Sequence, residues 1–235
     1  MLGTVLSLGA LGLAAAAPLE SRQVVPHYPP TQQSKGFNLV ANLTDPSKDF
    51  NPSIKSWQLS GLHVGAGLGD AALTASSGRL FYQNGTAEET RYNQAHTLSD
   101  GGTPLFPWGI AVDDATDAGG VLHGISINAG SGQAGIQLAQ FPEHYPILRT
   151  PQSPSTYVAC NQTVPYYGTN FITVRAVYDT DAQQRVPDNC VAITLVPQCA
   201  ELNDVPAGSY SSHEFANTVN CYADVASINW SEYGP

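Results

Sequence analysis

The sequence predicts an all-β protein, an antiparallel sandwich or barrel with one short C-terminal helix. Three observations carry this. Apolar and polar residues alternate in several short runs, the period of a half-buried strand. Loops rich in Gly, Pro, Asp and Ser separate those runs, with no helical pattern between them. Four cysteines follow an export signal, as in disulfide-bonded extracellular folds.

The signal is Met1–Ala17. Leu2, Val5, Leu6, Leu8, Leu11 and Leu13 form an apolar run, then alanines supply an A-x-A cleavage site before Pro18. A spanning helix needs roughly twenty apolar residues, more than this run holds. Residues 18–33 carry several prolines and read as an extended leader. The β domain is expected over 34–200, followed by a tail over 201–235 whose helix packs on the domain.

The first strand begins at Gly36: Phe37, Leu39, Ala41 and Leu43 face one way, Asn38, Val40 and Asn42 the other. Asp45–Ser53 reads as a loop. Trp57 and Leu59 start a second strand as core residues, with a bulge expected at Gly61 before Leu62 and Val64. Gly78–Gln83 runs into Asn84-Gly85, a turn signal. Residues 86–108 read as irregular, because Thr103–Trp108 holds two prolines and cannot be a regular central strand. Strands resume around Val121–Ile127, Ile136–Leu138, Phe171–Tyr178 and Val191–Val196. In the tail, Ser211-Ser212-His213-Glu214 has the capping-box pattern, and Phe215, Val219 and Tyr222 follow at helical spacing.

Cys160, Cys190, Cys199 and Cys221 allow three pairings. Local pairing joins Cys199 to Cys221 and leaves Cys160 with Cys190; a meander would instead bring Cys160 close to Cys199. The local pairing is the expectation. Four sequons mark Asn42, Asn84, Asn161 and Asn229 for glycosylation, whereas Asn51 is excluded by Pro52.

Composition excludes some partners. The chain has 19 acidic and 9 basic residues, a net charge of −10, which repels nucleic acid and anionic membranes. No membrane association is expected once the signal is removed. No catalytic constellation is legible. Ala129-Gly130-Ser131-Gly132 lies between strands, whereas a nucleophile elbow needs a strand and then a helix. Glu88, Glu89, Glu143 and Glu214 are carboxylates that nothing pairs for glycosidase chemistry. Asp113, Asp114 and Asp117 read as a solvated acidic turn without the spacing of a calcium loop. The histidines do not cluster: His63 lies beside a bulge, His96 and His144 in loops, and His123 on the apolar face of a strand as a core residue. No metal or cofactor is expected. Trp108, Tyr166 and Tyr167 are the aromatic residues best suited to contact carbohydrate from the surface.

The segments Ser34–Val40, Leu59–Gly67, Gly78–Thr86, Thr156–Asn161, Tyr166–Gly168, Pro187–Ile193 and Ser211–Phe215 resemble a family of secreted filamentous-fungal proteins. Its members are often labelled IgE-binding or cell-surface-like, and the family carries no established activity. The resemblance therefore implies a fungal extracellular protein and no catalytic residue. The expected function is that of a secreted, glycosylated, disulfide-stabilised protein of the wall or medium, an antigen or effector. Its expected partners are cell-wall polysaccharide or host proteins. A carbohydrate-binding module and a hydrolase whose site assembles only in three dimensions are the alternatives.

Overall fold

The computed structural model describes residues 28–115, 120–139, 145–152, 155–178 and 186–233. In chain order the strands are β1 (Gln32–Ser34), β2 (Gly36–Leu43), β3 (Gln58–Gly65), β4 (Leu68–Thr74) and β5 (Phe81–Asn84). A short helix, α1 (Ala87–Arg91), precedes β6 (His96–Gly101), β7 (Phe106–Ala115) and β8 (Leu122–Ala129). Then come β9 (Ser155–Val164), β10 (Thr169–Tyr178), β11 (Cys190–Ala200) and β12 (Val219–Cys221). The long strands alternate as their sequences require. Phe37, Leu39 and Ala41 of β2 meet Ile125 and Ile127 of β8, Val174 and Ala176 of β10, and Val191, Ile193 and Leu195 of β11 in one core.

Ten strands form one antiparallel sheet in the order β10-β9-β11-β2-β3-β4-β8-β7-β6-β5. Its two ends are not free. β10 pairs with β4 and β8 on its second side, and β5 pairs with β2, so the sheet closes into a barrel. Closure removes the open edge on which another chain could add a strand. Outward faces are covered in places by the tail: Val40 and Val196 lie under Tyr222 and Val225, flanked by Trp230.

Both disulfides adopt the local pairing. Cys160–Cys190 joins directly opposed residues of β9 and β11. Cys199–Cys221 fastens β12 to β11, while β12 pairs with β1. Among the described residues no helix is long and apolar enough to cross a membrane.

The predicted C-terminal helix does not form. Phe215 is 48% exposed, Ala216 bridges Asn84, and Val219–Cys221 is extended. Val219 and Cys221 are both buried, two residues apart, and the disulfide holds that strand against β11. The same residues fit a period of two as well as the first turns of a helix, and tertiary pairing decides between them. The Ser211 N–H donates to the Leu105 carbonyl, which seats this segment on the barrel.

A capping box does open α1. The Thr86 hydroxyl accepts from the Glu89 N–H, and the Glu89 carboxylate accepts from the Thr86 N–H and hydroxyl. Those bonds hold the Glu89 carboxyl below its usual range. The segment 86–108, expected to be irregular, therefore contains α1, β6 and the start of β7. Pro107 is tolerated as the second residue of β7, where the ladder is only beginning.

Three smaller expectations are corrected. Ile136 and Leu138 are buried but make a single bridge, Leu138 to Leu148, instead of a strand. The register shift in β3 falls between His63 and Gly65, not at Gly61. Asp113 and Asp114 lie in β7 and not in a turn, whereas Asp117 lies outside the described residues.

Burial also sets a pH limit. Burial pushes the phenols of Tyr82 and Tyr157 well above their ordinary value, with the Asp100 charge adding to the effect at Tyr82 and Tyr178 at Tyr157. Both rings are neutral in the folded and unfolded chain below pH ~10, so their contribution is complete there. Above it the unfolded chain releases protons that the folded state retains. Stability should fall by up to about 1.4 kcal/mol per pH unit for each ring. Denaturant midpoints should be lower at pH 11 than at pH 9, with tyrosinate absorbance rising as the chain unfolds at pH 11, and equal midpoints at pH 9 and 11 would refute this.

Candidate functional site

A groove of about 530 Å³ runs along the outer face of the barrel where β4, β7 and β8 meet the β9–β10 turn. It is larger than cavities of about 430, 390, 310 and 260 Å³ elsewhere on the surface. The β9–β10 turn forms one wall. Gly168 N–H bonds back to the Val164 carbonyl, and Gly168 sits at φ 63°, a left-handed conformation that favours glycine. This turn lifts Tyr166, 59% exposed, and Tyr167, 43% exposed, away from the barrel. The two rings are 5.1 Å apart; Tyr166 meets His63 edge-on at 5.9 Å, and Tyr167 lies 5.1 Å from Phe171. The Tyr167 hydroxyl donates to the His63 carbonyl at 2.8 Å, which joins the turn to β3.

The other wall and the floor are polar. Ser126 donates to the Asp113 carboxylate at 2.8 Å. Asn128 accepts from the Gly69 N–H at 2.9 Å, so its amide oxygen is occupied while its NH₂ has no partner among the described residues. Asp70 takes the Arg175 guanidinium with both oxygens, at 2.6 and 3.0 Å. Arg175 projects from the outward side of β10 and is buried. The Gln162 amide oxygen, turned toward it, accepts from its Nε and Nη2 and from Thr173. The cation is thus sealed behind Asp70, whereas Asp113 has no ion-pair partner among the described residues. Leu68, 49% exposed, and Val64 complete an apolar lip.

This arrangement can stack a ring on tyrosine while a carboxylate, a hydroxyl and an amide meet its polar groups. Among the described residues no cluster of His, Cys, Asp and Glu could hold a metal ion.

Trp108 is not part of the groove. It packs against the core at the start of β7, with the Arg79 guanidinium 5.0 Å over its ring. Nearby, Asp100 accepts from Tyr82 at 3.2 Å and pairs with His213 Nε2 at 2.7 Å, and the Tyr82 and His213 rings stack edge-on at 4.5 Å. This pair seats the tail on β5 and β6. His123, expected in the core, is half-buried at a barrel end, where its Nδ1 bonds the Asp113 carbonyl and its ring lies on Tyr178. Glu143 and His144 lie outside the described residues.

Of the sequon residues, Asn161 and Asn229 are exposed, and Asn42 and Asn84 half-buried. Sequence reasoning singled out Tyr166 and Tyr167 but missed Asp70, Ser126, Asn128 and Arg175. The available signal was Arg175, a charge inside the mostly apolar β10 that demands a buried partner.

A family model described as a domain of unknown function, DUF7907, matches residues 34–199. The chain belongs to this family. It is also similar to "Antigenic protein SchS34" of Stachybotrys chartarum, at 46% identity over 228 residues, covering 94% of this chain and all of that protein. No solved structure matches. For this DUF7907 protein, then, the comparisons give a family of unknown function and one fungal relative named as antigenic, and the groove is the candidate site.

Proposed function

We propose that this DUF7907 protein is exported to the fungal wall or medium, carries glycans at some or all of Asn42, Asn84, Asn161 and Asn229, and binds carbohydrate without transforming it. The observation that carries the binding reading is the exposed Tyr166 ring standing over a groove with hydroxyl, carboxylate and amide groups on its far side. An amphipathic ring offers a pyranose an apolar face, and the polar groups offer its hydroxyls partners. Antigenicity, stated of the Stachybotrys relative, fits an abundant external protein of this kind.

The test uses protein exported from a fungal host, whose intact mass reports signal removal and attached glycans. Neutral and amino-sugar hexamers are titrated calorimetrically. Tyr166→Ala should weaken binding about tenfold, or ~1.4 kcal/mol, with an unchanged melting temperature. Undiminished binding in this variant, or no binding by the native protein, overturns the carbohydrate reading.

A further inference from the structure

Among the described residues, the groove has one charge without an ion-pair partner. Asp70 spends both oxygens on Arg175, whose side chain is 8% exposed and presents no positive face to the groove. Asp113 accepts from the Ser126 hydroxyl, a neutral partner, and Asp114 follows it as a second exposed carboxylate. The whole chain carries a net charge of −10, so its long-range field draws cations and repels anionic sugars. A metal ion does not answer this charge, since no suitable group of ligands exists among the described residues. The complementary ligand is an organic cation with an apolar face for Tyr166.

We propose that the groove selects sugars bearing a free amine, with the ammonium group against Asp113 and the pyranose face on Tyr166. This rests on the carbohydrate reading above and names its ligand class. Asp113 is exposed, so its preference for an ammonium over an acetamide is that of a solvent-accessible ion pair, weakened by salt.

The test compares β-1,4-linked hexamers of glucosamine, N-acetylglucosamine and glucose at acidic pH and low ionic strength, with a hexalysine peptide as a fourth probe. The glucosamine hexamer should bind about fivefold tighter than the other two sugars, which corresponds to ~1 kcal/mol, and the difference should shrink in 0.5 M salt. Asp113→Asn keeps an oxygen for Ser126 and should bring the three sugars to one affinity, whereas Asp114→Asn should leave the preference largely intact. Equal affinities in the native protein, or a preference that survives Asp113→Asn, would overturn the proposal. So would hexalysine binding as tightly as the glucosamine hexamer and independently of Tyr166. If neutral hexamers bind through Tyr166 without amine preference, the carbohydrate reading stands and this inference alone fails.

Discussion

Reducing both disulfides is expected to lower the melting temperature by about 15–25 °C. The bridges close sequential loops with separations of 30 and 22 residues, and chain entropy assigns about 3.5 kcal/mol to each. The loops do not overlap, so the effects add to about 7 kcal/mol, comparable with the whole stability of many domains. Each kilocalorie shifts the melting point of a chain this size by about 2–4 °C. The bridges should also fail differently. Replacing Cys199 and Cys221 by alanine removes the covalent tie between β12 and β11, leaves the Tyr222 backbone bonds to Pro197 and Cys199, and should make the tail more susceptible to protease while the barrel stays folded. Replacing Cys160 and Cys190 loosens β9 against β11 within the barrel wall, and melting should fall without selective cleavage of the tail. An unchanged melting curve after complete reduction would contradict the entropic account of both.

The second large effect is expected at Arg175. Asp70→Ala removes the acceptor of a bidentate pair and leaves a buried guanidinium with, among the described residues, the Gln162 amide and its own strand's Val174 carbonyl for partners. Breaking such a pair costs roughly 3–5 kcal/mol, the lower end being expected because the Asp70 side chain is 21% exposed. Arg175→Met should cost less, since the stranded carboxylate can still reach water. The double variant Asp70→Ala/Arg175→Met should recover much of the loss, because the desolvation cost disappears with both charges. Urea unfolding of the four proteins closes the cycle. A loss below about 1 kcal/mol for Asp70→Ala would mean that water already relieves the pair.

The barrel was legible in the sequence wherever one strand face is buried and the other is not. Phe37, Leu39 and Ala41, or Val191, Ile193 and Leu195, announce both strand and facing. The local disulfide pairing was legible from chain distance. Two elements were misread because local pattern and tertiary demand conflict. Ser211–Tyr222 carries a helix entry signal and helical spacing, yet pairing with β1 and the bridge to Cys199 draw Val219–Cys221 into a strand. Thr86 and Glu89 carry the same signal, but α1 buries no residue, so no apolar stripe marked it. The groove was only half legible. Tyr166-Tyr167 stands out as a pair of aromatics in a turn, whereas Asp70, Asp113, Ser126 and Asn128 come from three strands. Only antiparallel register, such as Asp70 opposite Ser126, brings them together.

The pairing of β1 with β12 has a mechanical consequence. Gln32 lies opposite Cys221, so the chain enters and leaves this small ribbon at the same end. Tension applied to the two termini would load its hydrogen bonds one after another, like a zip, and not all at once in shear. Peeling from the C-terminal side would halt at Cys221, where the load passes through sulfur to β11 in the barrel wall. Pulled by its ends, the molecule should yield first by releasing β1 at low force, then resist strongly until the barrel itself gives way.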